Sequence, residues 1–202
     1  MATRVVPVDP EHPCPDAIEA AAAVLRAGGL VAFPTETFYG LGAAAGCEAA
    51  LARIFQVKGR SPDKPLLVLV SSVAMAEAVA EIPAEARALM ARHWPGALTI
   101  VMRARPDVSS RITAGLGTIG VRHSPHRVAS VLVERLGTPI TAPSANRSGG
   151  PPPVTAGEVL GALDAQIDMV LDGGHTAGGP ASTVLDLTIA PPLVRRQGAV
   201  TL

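Results

Sequence analysis

The sequence predicts a mixed α/β fold, a twisted sheet flanked by helices, and three features carry that prediction. Segments with apolar residues at helical spacing alternate with short apolar runs of strand length through most of the chain. One run, "PLLVLV", is continuously apolar, as strands buried on both faces are. Glycine and proline punctuate the segments. With 202 residues, 48% apolar and 17% charged, the chain can form one good-sized core, so a single domain over residues 1–202 is expected.

In chain order, Asp16 reads as the N-cap of a helix, "AIEAAAAVLRAGG", that Gly28 stops. "LVAFPT" is a strand ending at Pro34. Beyond the glycine-rich "YGLGAAAG", "CEAALARIFQVK" places Leu51, Ile54 and Phe55 on one helical face and stops at Gly59, with Lys58 in the last turn. "PLLVLV" follows as a strand. Helices over 73–80 and 84–93 precede the strand "ALTIVMR". "TIGVRH" is a shorter strand, a helix follows from Arg127 to Leu136, and "PITAPS" runs from strand into loop. A helix from Thr155 to Leu163 precedes the strands "DMVLD", "STVLDL" and "LVRR". "SGGPPP" has the composition of a linker, but the segment beyond it reads as strands that need a larger sheet, so it is taken as a loop.

The charge balance excludes several function classes. Net charge is zero, which argues against a broad footprint for duplex DNA or a membrane surface. The aromatics are Phe33, Phe38, Tyr39, Phe55 and Trp94, too few for the stacking platforms of single-strand binders. No apolar run reaches the ~20 residues that span a bilayer, and "MATRVVPVDPEHPCP" lacks the pattern of a signal peptide. Cys14 and Cys47 have no C-x-x-C spacing, which fits a reducing compartment, so a cytoplasmic protein is expected.

Lys58 and Lys64 are the only lysines, and both lie in "KGRSPDKP" around Arg60 although arginine is spread over the whole chain. That clustering points to a bound anion. "GLGTIG" has the G-x-G-x-x-G spacing without the strand before it and helix after it that a dinucleotide fingerprint needs. There is no Walker A motif and no G-x-S-x-G elbow. His123 and His126 are separated by Pro125, which keeps them off a single helical face, so no metal site is expected.

Four polar loops at strand ends remain. "PTETFYGLG" offers Thr35, Glu36, Thr37 and Tyr39 beside glycines; "KGRSPDK" adds three cations; "VRHSPH" adds Arg122; "APSANRSG" adds Ser144, Asn146 and Ser148. Each has a plainer alternative: Lys58 as a complement to a helix C-terminus, worth ~0.3–1 kcal/mol, or Ser144 and Asn146 as turn formers. Jointly they lie where open α/β sheets bind ligands. Cations facing hydroxyls suit a phosphate chain and a small polar molecule.

On the blocks "PTETFYGLG", "KGRSPDKPLLVLV", "HWPGALTIVM", "GTIGVRHSPH", "APSANRSG", "STVLDL" and "VRRQGAV", in this order and over nearly the whole chain, the sequence resembles the YrdC-like family, the threonylcarbamoyl-AMP synthases that begin biosynthesis of N6-threonylcarbamoyladenosine in tRNA. The resemblance implies a YrdC-like sheet with a concave ligand groove. It also implies synthesis of threonylcarbamoyl-AMP and pyrophosphate from L-threonine, bicarbonate or CO2, and ATP, with Mg2+ expected alongside the nucleotide. It assigns Lys58, Arg60, Lys64, Thr118, Ser144, Asn146, Pro152 and Arg196 to ATP, with Lys58 and Arg60 as the catalytic cations. It assigns Thr35, Thr37, Arg122, Ala142 and Ser182 to threonine. Downstream tRNA-modifying threonylcarbamoyltransferase proteins are the implied partners, with at most a weak direct contact to tRNA and none to a membrane.

The chain departs from the family pattern in places. Leu69 stands where longer relatives carry a threonine-contacting histidine, and Lys64 where they often have asparagine. "VRRQG" leaves a choice between Arg195 and Arg196, resolved toward Arg196 by its spacing to Gly198. The single-domain form is expected, since the chain ends at Leu202. Two other readings stand beside this one: an RNA-binding module, which the neutral charge disfavours, and a carbamoyltransferase-type YrdC domain, whose additional zinc-finger and acylphosphatase-like regions are not visible here.

Overall fold

A computed structural model describes residues 2–202. In chain order the elements are β1 (Arg4–Pro7), α1 (Pro15–Arg26), β2 (Val31–Phe33), β3 (Gly40–Gly42), α2 (Glu48–Lys58), β4 (Leu67–Leu69), α3 (Val73–Glu77), α4 (Ala84–His93), β5 (Leu98–Arg103), α5 (Ser110–Thr113), β6 (Thr118–Arg122), α6 (Arg127–Leu136), β7 (Ile140–Thr141), α7 (Ala156–Leu163), β8 (Met169–Asp172), β9 (Thr183–Asp186) and β10 (Leu193–Arg196). The expected mixed α/β class holds, with the strands divided between two mixed sheets. A four-stranded sheet runs β1-β8-β2-β3 and a six-stranded sheet runs β10-β9-β5-β6-β4-β7.

The sheets meet where β3 passes the end of β7. Gly40 bridges Ser144, Ala44 bridges Ile140, and the Leu41 amide donates to the Pro143 carbonyl at 2.7 Å. Gly42 permits this approach, because a Cβ there would stand 2.8 Å from both Ile140 Cγ2 and Phe33 Cε1.

Strand alternation sorts the core. On β2 and β8, Val31, Phe33, Met169 and Leu171 face α1 and α6, while Ala32 and Val170 enter the other apolar cluster with α2 and α7; this sheet is therefore covered on both sides. In the six-stranded sheet Ile100, Met102, Ile119 and Val121 turn into the same core. Their neighbours of opposite parity turn the other way, and that face carries the candidate site.

Several boundaries differ from the sequence reading for identifiable reasons. Cys14, not Asp16, is the N-cap of α1. Pro15 occupies the first turn, where its missing N–H costs nothing, and Asp16 sits beside it as first-turn acid. β1, hidden by its charge and prolines, is an edge strand paired with β8, a place that tolerates Pro7. The glycine-rich β3 pairs antiparallel with β2. α3 is shorter than expected and α5 was not anticipated. "SGGPPP" is a loop held by a Tyr39 amide bond to the Pro153 carbonyl at 2.9 Å. No helix among the described residues is long and apolar enough to cross a membrane.

Candidate active site

A cavity of about 370 Å³ opens on the polar face of the six-stranded sheet. Its floor is set by the period of two: Thr99 and Val101 from β5, Thr118, Gly120 and Arg122 from β6, and Ser182 and Val184 at β9. Val101 pairs with Gly120 across the ladder, so a residue without a side chain opens the middle of the floor. The walls are loops. Thr35 and Thr37 follow β2; Arg60 and Pro65 follow α2; Ala142 and Ser144 follow β7; Pro152 and Arg196 complete the rim.

The structure thus brings Arg60, Thr118, Ser144, Pro152, Arg196, Thr35, Thr37, Arg122, Ala142 and Ser182 to one cavity, and it does not bring Lys58, Lys64 or Asn146 to the wall. Lys64 is exposed on the turn after α2. Lys58, expected as a cation at a helix end, is only 3% exposed. Its Nζ donates to the carbonyls of Ser144 at 2.5 Å and Asn146 at 2.6 Å, while its own carbonyl accepts from the Ser148 amide at 2.7 Å. Burial, helped by the neighbouring Arg60 charge, pulls its pKa down to about 8. Asn146 shapes the same turn: Nδ2 donates to the carbonyls of Arg147 (3.0 Å) and Gly150 (2.6 Å), and Oδ1 accepts from Ser144 Oγ at 2.5 Å. Lys58 and Asn146 therefore set the position of Ser144, which does reach the cavity.

Each cation of the wall is anchored. Arg60 donates to the carbonyls of Pro65 (2.8 Å) and Lys64 (3.3 Å). Arg196 donates through Nε to the Ser182 carbonyl and through Nη2 to Ser182 Oγ, both at 3.0 Å. Ser182 Oγ lies 2.9 Å from Thr99 Oγ1. A register shift between Val194 and Arg196 accompanies the divergence of the two arginines, since Arg195 turns instead to Asp186, Nε to Oδ2 at 3.0 Å. Arg122 is buried and pairs with Glu36, Nη1 to Oε1 at 3.0 Å. Burial draws all three guanidinium groups below their ordinary pKa, and for Arg122 the Glu36 charge opposes that pull.

The hydroxyls are fixed as well. Thr35 Oγ1 donates to the Phe38 carbonyl at 2.7 Å and lies 3.3 Å from Thr37 Oγ1. Tyr39 donates to the Gly174 carbonyl at 2.7 Å, and burial pushes its pKa up to about 12. Leu69 is buried in the apolar cluster of α1 and α6 and is not part of the wall.

The sequence reading missed Thr99, Val101 and Gly120, which alternation along "LTIVMR" and "TIGVR" would have placed on one face. It also left Glu36 without a role, and no sequence signal pairs Glu36 with Arg122.

Fold and site together define a class: an α/β protein with a strand-end pocket whose guanidinium groups and hydroxyls suit phosphate and carboxylate groups. Residues 23–198 match the model of the Sua5/YciO/YrdC family, described as "Telomere recombination", and the chain belongs to this family. It is 47% identical over 186 residues to the threonylcarbamoyl-AMP synthase of Pyrococcus abyssi, covering 92% of this chain and 55% of that protein. With the Bacillus subtilis threonylcarbamoyl-AMP synthase it shares 45% over 186 residues, 91% of this chain and 54% of the relative. The crystal structure of P. abyssi Sua5 complexed with L-threonine superposes with a TM-score of 0.94 at 46% identity, over 97% of this chain and 58% of the other. The chain thus spans about half the length of these curated relatives.

Proposed function

We propose that the chain forms threonylcarbamoyl-AMP and pyrophosphate from L-threonine, bicarbonate or CO2, and ATP. One observation carries the reading: residues assigned separately to nucleotide and to amino acid line one cavity. The names of the relatives and the threonine complex of the P. abyssi protein support it.

In this reading Arg60, Arg196, Thr118 and Ser144 hold the nucleotide. Thr35, Thr37, Arg122, Ala142 and Ser182 hold threonine. The amine of threonine adds to CO2 and loses a proton, and the resulting carbamate oxygen attacks the α-phosphorus. The new P–O bond forms as the bond to pyrophosphate breaks, and the charge departs with pyrophosphate. No protein nucleophile is needed, so the chain's part is positioning and charge stabilisation. Fixed cations at a departing charge are worth roughly 10²–10³ in rate. Lys58 acts through the 144–146 turn that presents Ser144; Asn146 shares that work, and Lys64 acts from the exposed turn after α2.

The residues present do not fit a protein-held Mg2+ site. No group of three or more His, Cys, Asp or Glu forms among the described residues, and no acid or histidine lines the cavity. Mg2+ would arrive on the phosphates as part of the substrate. We place the activity in the cytoplasm, with its product passed to tRNA-modifying threonylcarbamoyltransferase proteins and direct tRNA contact weak.

The test is pyrophosphate release from ATP, which should require both threonine and bicarbonate. Turnover driven by carbamoyl phosphate would favour the carbamoyltransferase type instead. Salt-sensitive RNA binding without turnover would favour the RNA-binding module.

A further inference from the structure

We infer that Glu36 and Ser124 are positioning residues that hold Arg122 so that one edge of its guanidinium is kept unpaired for the carboxylate of the amino-acid substrate. The inference rests on the reading above and adds residues that reading does not use.

The Arg122 side chain is 5% exposed and that of Glu36 16%. A buried guanidinium needs an opposing charge, and Arg196 adds repulsion on the cavity side. Glu36 supplies the opposing charge from the β2–β3 loop. Its Oε1 stands 3.0 Å from Arg122 Nη1 without making an aligned hydrogen bond, so the contact is ionic. Its Oε2 accepts from Ser124 Oγ at 2.5 Å, and Ser124 Oγ accepts in turn from the His126 amide at 3.2 Å. The carboxylate is thus held at both oxygens, and the serine proton is committed to it.

This arrangement leaves Arg122 Nε buried with no hydrogen-bond partner among the described residues. Buried donors are rarely left so. Arg122 lines the cavity, and with Nη1 beside Glu36 the Nε edge is the one left without a partner. That edge is the one a carboxylate grips through two parallel bonds. Glu36 therefore sets which edge of the guanidinium the substrate meets, and Ser124 sets the position of Glu36.

The experiment compares Glu36→Ala, Glu36→Gln and Ser124→Ala with the wild type, reading KM for threonine and for ATP, kcat, and direct L-threonine binding by calorimetry. Glu36→Ala should raise the threonine KM at least about tenfold, the scale of one lost charge-assisted contact. The ATP KM should stay within about twofold. Glu36→Gln, which keeps the Ser124 bond, should fall between wild type and alanine, and Ser124→Ala should raise the threonine KM by about threefold. Unchanged threonine affinity in both Glu36 variants, or equal rises in the two KM values, would overturn the inference. Should Glu36→Ala fail to fold, Glu36→Gln and Ser124→Ala decide by the same contrast. A wild type that neither turns over nor binds threonine would instead sink the proposed function itself, and this inference with it.

Discussion

Replacing Lys58 with methionine keeps the apolar stem and removes the ammonium. Two bonds to the Ser144 and Asn146 carbonyls are lost, and hydrogen bonds from a charged donor are worth ~1.5–3 kcal/mol each, about 3–6 in total. Burial works in the opposite sense. It lowers the Lys58 pKa from 10.5 to about 8, so holding the charge in the fold costs on the order of 3 kcal/mol, which methionine recovers. The net destabilisation should be ~0–3 kcal/mol, a fall in Tm of no more than about 10 °C. The functional effect should be larger than this near-cancellation suggests, because the turn that presents Ser144 loses its tether. ATP affinity should fall about tenfold, the loss of one such contact. Calorimetric ATP titrations of Lys58→Met, Ser144→Ala and the double variant form a cycle. If Lys58 acts through the turn, the double loss should miss the sum of the single losses by ~0.5–3 kcal/mol. Additivity within about 0.5 kcal/mol would refute the coupling.

The other predictions concern the same walls. Because the folded pKa of Lys58 lies below its unfolded value, the unfolded chain holds the proton between pH 8 and 10.5. The Lys58 contribution is thus full above 10.5 and lost as pH falls through about 8; the stability gap between wild type and Lys58→Met should shift in favour of wild type across that window, and a flat gap in thermal melts would contradict it. Arg60→Ala should lower pyrophosphate release at least about tenfold with little change in Tm, since its bonds go to carbonyls on an exposed turn; normal turnover at saturating ATP would count against a phosphate role. Threonine should exceed serine and serine exceed alanine in kcat/KM, because Thr35 and Thr37 offer partners to a substrate hydroxyl; equal values for alanine and threonine would remove them from the pocket. Gly198→Ala should weaken ATP binding, since its Cβ would fall on the Ala181 carbonyl oxygen and displace the segment that carries Ser182; calorimetry with unchanged affinity would show that this segment tolerates displacement.

Much of the fold was legible because its signals are local. α2 announces itself by Leu51, Ile54 and Phe55 and by Gly59, which takes the left-handed conformation at its C-cap with φ 58°. β1 and β3 were not legible, because an edge strand tolerates charge and proline and a closely approached strand requires glycine, and both read as loop. The candidate site divides in the same way. Loop residues such as Thr35, Arg60 and Ser144 stand out as polar groups between apolar strands. The burial of Lys58 does not, because it depends on a turn far along the chain folding over the end of α2. The ion pair between Glu36 and Arg122 likewise joins loop and strand from two sheets. Asn146 was expected to act at phosphates, whereas its amide is bonded within its own loop.

The central claim is that one cavity joins threonine, bicarbonate and ATP, and the direct test is the product. Isotope-labelled bicarbonate, L-threonine and ATP are incubated with the protein, and the nucleotides are resolved by mass spectrometry. The account predicts an AMP adduct that carries both the threonine mass and the bicarbonate label, formed in step with pyrophosphate and abolished by Arg122→Ala. Threonyl-AMP without the label, or pyrophosphate release that ignores threonine, would contradict it.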